Sequence, residues 1–152
     1  MAMSQWVRLI AIDLVVILLW SVAVGASAPY WPSRWLVTDR FPLRLTRWDS
    51  VSLYRSVGII ALKDHLPEAG AMFGGQSKRS LRGTDAAALR VYLTEVRRAE
   101  WVHWISMASW IPLVWFNPWP LTAAFAIVVI GVNVPFILTV RFNRIRLLRL
   151  VR

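Results

Sequence analysis

The sequence predicts an all-α integral membrane protein with about three transmembrane helices, an interfacial or re-entrant helix and a basic C-terminal tail. Of its 152 residues, 57% are hydrophobic. Two of its apolar stretches reach the roughly 20 residues that a helix needs to cross a ~30 Å hydrocarbon layer. A chain this short and this apolar has room for one compact domain, so residues 1–152 are taken as a single membrane domain.

The charge balance limits the classes of partner. Eighteen Lys and Arg against eight Asp and Glu give a formal charge of +10. Such a balance is typical of proteins that contact nucleic acid, anionic headgroups or phosphorylated substrates, and the high hydropathy favours the lipid bilayer and disfavours nucleic acid. The sequence contains no cysteine, which excludes disulfides, thiolate metal sites and a cysteine nucleophile.

The apolar stretches define the predicted spans. Residues 6–27 form the first, and residues 121–140 form the last. Residues 101–116 are fewer, but the Asn-Pro-Trp-Pro turn that follows them indicates a third span, paired with 121–140 as a helical hairpin. Residues 51–62 carry an arginine and are too few for a crossing, so they are interpreted as the interfacial or re-entrant helix.

The first span has two interpretations. Ala26-Ser27-Ala28 after an apolar run resembles a signal peptidase site, whereas the lone Arg8 before the run and Asp13 within it favour an uncleaved, signal-like anchor. Arginines cluster in residues 28–98 and after residue 140 but are missing from the turn at 117–120. By the positive-inside rule, these two regions are cytoplasmic and the N-terminus and turn are outside, as in a multi-pass protein of the cell membrane.

The region between the first and second spans carries polar and aromatic residues. Residues 30–48 are rich in Trp, Pro and Arg, which suits the headgroup layer and is typical of a linker lying along the membrane. Residues 63–75 form a Gly- and Pro-containing loop beside Lys63, and more cations follow it. This loop could hold phosphates, although it lacks the spacing of a P-loop, and a solvated basic loop explains it as well.

Polar groups share one face of the helix that is predicted to run from Thr84 or Asp85 into the membrane. Glu95 and His103 lie on the same side, with Glu100 close to it. The i, i+3 spacing would let the Glu100 carboxylate accept a proton from one imidazole nitrogen and leave the other basic. The same spacing pairs Arg98 with Glu95. The alternative is a polar collar at the membrane surface.

Three segments resemble a known family. Residues 95–106 match an E-x-x-R-A-E-x-x-H-W-I-S pattern, and residues 133–147 match N-V-P followed by R-[YF]-N-R-x-R-L at the same spacing and in the same order. Residues 63–70, KDHLPEAG, are similar to a looser element of that family. These are patterns of the glycosyl-4,4'-diaponeurosporenoate acyltransferases, which complete staphyloxanthin-type carotenoids. The resemblance covers most of residues 60–150, while the first sixty residues share only an apolar start.

The resemblance implies an O-acyltransferase that needs no cofactor. It would move a fatty acyl group from an acyl-CoA or acyl-carrier donor to a sugar hydroxyl of a glycolipid or carotenoid glycoside. A sugar hydroxyl is a poor nucleophile, so a neutral imidazole within hydrogen-bond reach is required, and His103 supported by Glu100 supplies it. His65 is the second choice. Asn133, an amide within an apolar span and beside Pro135, is the candidate oxyanion donor.

Cations near the helix ends are the candidates for substrate binding. Arg141 and Arg144 lie roughly 12 and 16 Å along the helix from Asn133, at its predicted cytoplasmic end. They are predicted to hold the phosphates of the acyl donor, although positive-inside anchoring explains them almost as well. The full predicted substrate-binding set is Lys63, Glu95, Arg98, Arg141, Asn143 and Arg144.

Three other functions remain as alternatives. Glu100-x-x-His103 has the spacing of carboxylate di-metal bundles, but those need a second such motif, so no metal is predicted. A lipid-binding or transport module is disfavoured because no internal repeat is present. The main alternative is a non-catalytic membrane subunit of a larger lipid or envelope biosynthesis complex. Three spans are few for enclosing a lipid substrate, so a second copy or another membrane protein is also considered as a partner.

Overall fold

The computed structural model describes residues 3–61 and 86–151, and in these ranges the fold is entirely helical, as predicted. The described residues include four α-helices and three short 3-10 segments. The helices are α1 (Met3–Ser27), α2 (Val51–Ser56), α3 (Ala86–Ser106) and α4 (Trp119–Val151). The 3-10 segments are Ala28–Tyr30, Ser33–Trp35 and Met107–Trp115.

Two helical segments are long and apolar enough to cross a membrane. They are Met3–Tyr30, with a mean hydropathy of 2.5, and Trp119–Leu150, with a mean hydropathy of 2.4. Many of their apolar side chains point away from the protein: Leu19 is 62% exposed and Ile127 is 72% exposed. Exposed apolar faces of this extent are unfavourable in water and are satisfied by lipid, which indicates a membrane protein.

The third predicted span, residues 101–116, is not confirmed. The α-helix ends at Ser106, and the chain continues as the 3-10 segment Met107–Trp115, which contains Pro112. Proline removes a backbone N–H and clashes with the carbonyl four residues earlier, so it disfavours α-helical continuation. Of the described residues, only the two segments named above pass the length and hydropathy criteria for a span.

Helix α3 packs against α4 in an antiparallel arrangement. Leu89, Leu93 and Val96, from the first half of α3, form a buried cluster with Leu147, near the end of α4. The backbone reverses between the 3-10 segment and α4, where the N–H of Asn117 donates to the Leu113 carbonyl at 3.0 Å. The beginning of α3 therefore packs against the end of α4, and the end of α3 packs against the first half of α4.

Helix α1 joins this pair through two polar contacts. The Trp20 indole Nε1 donates to the Ile105 carbonyl at 3.0 Å, and Asn117 Nδ2 donates to Asp13 Oδ1 at 2.8 Å. Asp13 is fully buried at 0% exposure, although it belongs to an otherwise apolar helix. The carboxylate that interrupts the first apolar run thus serves as a contact between α1 and the turn before α4.

The predicted interfacial helix at 51–62 is interrupted in the structure: α2 ends at Ser56, residues 59–61 are again helical, and residue 62 lies outside the described residues. Ser50 Oγ accepts a hydrogen bond from the Leu53 backbone N–H at 3.2 Å and caps the N-terminus of α2. Gly58 adopts a φ of 76°, a left-handed conformation that glycine tolerates and that interrupts the helix. Tyr54 of α2 packs in a buried cluster with Phe142 of α4, so α2 lies against the C-terminal half of α4.

Candidate functional site

The antiparallel packing of α3 on α4 brings His103 and Asn133 together. His103 Nδ1 lies 3.0 Å from Asn133 Oδ1, and Asn133 Nδ2 donates to the Val129 carbonyl at 2.9 Å. A carbonyl oxygen can only accept, so the Val129 contact fixes the orientation of the Asn133 amide. Its oxygen therefore faces His103, and Nδ1 must carry the hydrogen. The Nε2 lone pair of the neutral imidazole is left available to accept a proton.

Phe136 fixes the plane of the His103 ring. The two rings are stacked, with centroids 4.7 Å apart and an interplanar angle of 12°. Phe136 follows Asn133 by three residues on α4, so both lie on the same face of the helix. His103 is thus held at one edge by Asn133 and on one ring face by Phe136, and α4 supplies both contacts.

Glu100 lies one turn before His103 and belongs to a different set of contacts. Its side chain is 0% exposed and receives two guanidinium groups, with Arg141 Nε at 2.8 Å and Arg144 Nη1 at 3.0 Å. Trp104 Nε1 donates to the same carboxylate at 3.4 Å. This buried carboxylate between two arginines, together with the loop groups described next, is called the Glu100 cluster.

Both arginines of the Glu100 cluster also bind the loop before α2. Arg141 donates to the Pro42 carbonyl at 2.5 Å and forms an ion pair with Asp49 at 3.2 Å. Arg144 donates to the Leu43 carbonyl and lies 3.6 Å from Asp39. Asp39 also pairs with Arg97 of α3 at 2.7 Å. The cluster therefore joins three segments of the chain: α3, α4 and the loop before α2.

Asp49 is the outer carboxylate of this cluster. It accepts hydrogen bonds from the backbone N–H of Thr46 at 2.6 Å and from the Tyr54 hydroxyl. Burial by itself raises the pKa of Asp49, but the hydrogen bonds from Tyr54 and Thr46 and the charge of Arg141 outweigh burial and lower that pKa. Burial and the neighbouring Asp49 raise the pKa of Tyr54. Asp49 is therefore ionised and Tyr54 neutral at ordinary pH.

One predicted contact of this site is absent from the structure, and the predicted oxyanion role of Asn133 stays a prediction. Glu100 does not hold His103: the carboxylate contacts Arg141, Arg144 and Trp104, because two cations offer stronger charge-assisted bonds than a neutral imidazole. Asn133 takes the role of holding the imidazole, so its amide oxygen points at His103 and one of its amide hydrogens is already bonded to Val129.

The prediction that Arg141 and Arg144 hold donor phosphates stays a prediction, and the structure gives both side chains internal partners. Arg144 is 0% exposed, and the side chain of Arg141 is 13% exposed. Both guanidinium groups already bind internal carboxylates and carbonyls. Asp39 and Asp49, the two acids of residues 28–50, were missed as their partners. These are the two acidic residues of an arginine-rich segment, and that pattern could have indicated that they pair with arginines elsewhere in the chain.

The remaining predicted residues take varied positions. Arg98 and Glu95 form the expected i, i+3 ion pair on α3. Asn143 is half-buried on α4, between the two arginines of the Glu100 cluster. Lys63 and His65 lie outside the described residues. Within residues 3–61 and 86–151, no three His, Asp or Glu side chains are grouped as a metal site would require.

Comparison with known proteins defines the family. A family model described as glycosyl-4,4'-diaponeurosporenoate acyltransferase matches residues 32–152, so the chain belongs to this acyltransferase family. A protein of that name from Staphylococcus haemolyticus (strain JCSC1435) is 42% identical over 89 residues, which are 56% of this chain and 50% of the relative. The aligned region thus spans half of that relative's length. No solved structure matches the chain significantly.

Proposed function

We propose that this protein transfers a fatty acyl group from an acyl-CoA or acyl-carrier donor to a sugar hydroxyl of a membrane glycolipid, with His103 as the general base. The observation that carries the proposal is the hydrogen bond of Asn133 Oδ1 to His103 Nδ1, which leaves Nε2 free to accept a proton. The name shared by the family and the relative supports acyl transfer as the reaction class.

In the proposed reaction, His103 alone can carry the proton from the sugar hydroxyl to the leaving group. Nε2 of His103 removes the proton of the sugar hydroxyl while the hydroxyl oxygen attacks the thioester carbonyl of the donor. The tetrahedral intermediate collapses, the C–S bond breaks, and the imidazolium returns its proton to the leaving thiolate. General base catalysis of this kind typically contributes ~10² to 10⁴ in rate.

Asn133 and Phe136 act through His103. The amide oxygen of Asn133 accepts the Nδ1 hydrogen and stabilises the imidazolium that forms in the reaction. The stacked Phe136 ring, 4.7 Å away, keeps the imidazole in one orientation. The second amide hydrogen of Asn133 remains a candidate donor to the oxyanion, since only one is bonded to Val129.

The acceptor and the cellular setting belong to the same proposal. The name of the relative points to a glycosylated carotenoid acid as the acceptor, and a related glycolipid would present the same sugar hydroxyl. Two helical segments long and apolar enough to cross a bilayer support a multi-pass protein of the cell membrane. The arginine-rich segments would then lie on the cytoplasmic side.

The test is an acyl-transfer assay with purified protein in nanodiscs. The wild-type chain and His103→Ala would be supplied with a labelled acyl donor and a glycolipid acceptor, and products would be identified by lipid mass spectrometry. We expect His103→Ala to lose about 10² to 10⁴ in rate. Thr139→Val is the matched control, because Thr139 lies on α4, the helix that holds His103, and its hydroxyl donates to the Pro135 carbonyl of its own helix. A wild-type rate in His103→Ala, or an equal loss in Thr139→Val, contradicts the proposal.

A further inference from the structure

The charges of the linker between α1 and α2 are separated into an inner and an outer set. Its two acids, Asp39 and Asp49, are paired with arginines of α3 and α4, and their side chains are 29% and 6% exposed. Its four arginines are exposed, and among the described residues none of them has an ion-pair partner; they are Arg34, Arg40, Arg44 and Arg47. The exposed charges of the linker that lack an ion-pair partner among the described residues are therefore all cationic.

Large aromatic side chains alternate with these arginines. Tyr30 is 86%, Trp35 60%, Phe41 90% and Trp48 66% exposed. We call the four exposed arginines and these four aromatic residues the linker surface. Arg47 lies over the Trp48 ring, with its guanidinium carbon 5.0 Å from the ring centroid. Aromatic rings and arginines in alternation suit the boundary between hydrocarbon and headgroups, where the rings are half-solvated and the guanidinium groups meet phosphates.

The exposure of these aromatics is not a sign of a loosely folded segment. Leu36 and Leu43 of the same linker are 1% and 0% exposed. The carbonyls of Pro42 and Leu43 are bound by Arg141 and Arg144. Phe41, next to these two anchored residues, is nevertheless the most exposed of the four aromatics. The linker is thus attached to α4 on its inner side, while its aromatic rings are exposed on its outer side.

The linker surface lies where both apolar helices end. Helix α1 ends at Ser27, directly before the linker. On α4, the apolar run 121–140 ends immediately before Arg141, the residue that binds the Pro42 carbonyl. If the two apolar helices lie in the hydrocarbon, the linker surface lies at one headgroup layer. This placement is independent of the reaction proposed above.

We propose that the linker surface binds the anionic phospholipid headgroups of one membrane leaflet. The four guanidinium groups bind headgroup phosphates, which they match with paired N–H donors, and the aromatic rings enter the upper part of the hydrocarbon. The binding holds the Glu100 cluster, and with it α3 and α4, at a constant depth. His103, one turn from Glu100, is then kept close to the level at which a glycolipid presents its sugar.

The first experiment measures lipid retention. The protein would be released from nanodiscs containing equal amounts of phosphatidylglycerol and phosphatidylcholine, and retained lipids would be counted by native mass spectrometry. We expect the wild-type chain to retain phosphatidylglycerol several-fold over phosphatidylcholine, and the double variant Arg40→Gln/Arg44→Gln to lose most of this preference. The matched control, Arg146→Gln/Arg149→Gln, removes the same charge from exposed positions of α4 and keeps the preference. An equal loss in both variants overturns the proposal, as does no loss in either.

The second experiment uses the absence of cysteine in the sequence. Phe41→Cys provides one labelling site for an environment-sensitive fluorophore in nanodiscs. We expect a blue-shifted emission when phosphatidylglycerol is present, and a return toward the water-exposed spectrum in the Arg40→Gln/Arg44→Gln background. A water-exposed spectrum with every lipid overturns the proposal. So does a double variant that keeps its phosphatidylglycerol but no longer binds acyl-CoA, since the linker surface would then serve the donor.

Discussion

The His103–Asn133 pair and the Glu100 cluster lie on the same two helices, about one turn apart on α3 and about two to three turns apart on α4, but they differ in composition. The pair consists of neutral groups, an imidazole and an amide joined by one hydrogen bond of 3.0 Å, and His103 keeps one ring nitrogen available. The cluster consists of fully buried and nearly buried charges, and Glu100 is contacted by two arginines. The first arrangement leaves one ring nitrogen able to exchange a proton, whereas the second consists of charged groups paired with one another. Ionisable residues that are adjacent in a sequence motif can thus serve chemistry in one case and assembly in the other.

The largest expected effect comes from breaking the Glu100 cluster. Glu100→Gln leaves Arg141 and Arg144 buried without their shared carboxylate, and removal of one partner from a buried ion pair typically costs about 3 to 5 kcal/mol. We therefore expect a large fall in the free energy of unfolding, measured by denaturant titration in detergent. His103→Ala should lower it far less, since one neutral hydrogen bond contributes about 0.5 to 1.5 kcal/mol. Equal losses of stability in the two variants would contradict the assignment of a structural role to the Glu100 cluster and not to the His103–Asn133 pair.

The second prediction concerns how Asn133 positions His103. Asn133→Leu removes the acceptor of the Nδ1 hydrogen, so the imidazole loses both its fixed tautomer and a contact that stabilises its cation. We expect the turnover number to fall about 10-fold, which corresponds to one charge-assisted contact of roughly 1.4 kcal/mol, while the Michaelis constant for the donor stays near its wild-type value. Glutamine at position 133 should restore part of the rate. A change confined to the Michaelis constant would place Asn133 in substrate binding instead.

The third prediction tests the outer part of the Glu100 cluster through pH. The folded state lowers the pKa of Asp49 below its ordinary value of 3.8. A carboxyl group with a depressed pKa stabilises the fold fully above its unfolded pKa, and this contribution is lost as pH falls through the folded pKa. We expect unfolding temperatures to decline below about pH 4, and Asp49→Asn to be less stable at neutral pH with a weaker acid dependence. If the unfolding temperature of Asp49→Asn declines with falling pH as steeply as that of the wild-type chain, other carboxylates cause the acid destabilisation.

The fold was predictable to the extent that it depends on runs of apolar residues. Residues 6–27 and 121–140 each lie within an observed helix of sufficient length and hydropathy to cross a membrane. The third span is not confirmed: the α-helix ends at Ser106, and the 3-10 segment Met107–Trp115, which contains Pro112, follows it. Its apolar composition is visible in the sequence, whereas its change from α-helical to 3-10 geometry is not. Hydropathy thus located the apolar segments more reliably than it described their backbone.

The site was predictable at the level of residues and not at the level of contacts. His103, Glu100, Asn133 and the two arginines stand out in the sequence because ionisable and amide groups are costly in apolar segments. Helical spacing correctly paired Arg98 with Glu95, both on α3. It could not pair Glu100 with Arg141, 41 residues away, because that contact depends on the register of α3 against α4. Helical periodicity therefore predicted that Glu100 would contact His103 on its own helix. In the folded protein, Glu100 instead contacts two arginines of α4.

The smallest expected effect separates ring orientation from proton acceptance. Phe136→Leu keeps an apolar side chain on α4 but removes the ring stacked on His103 at 4.7 Å. Aromatic stacking is worth about 0.5 to 1.5 kcal/mol beyond burial, so we expect a rate loss of about two- to ten-fold with an unchanged pH optimum. Phe142→Leu is the matched control, because Phe142 lies on the same helix and packs on Tyr54 beside the Glu100 cluster. It should lower stability more than rate. If Phe136→Leu also lowers stability more than rate, the stacked ring belongs to the packing of α3 on α4, and orientation of His103 rests on Asn133 alone.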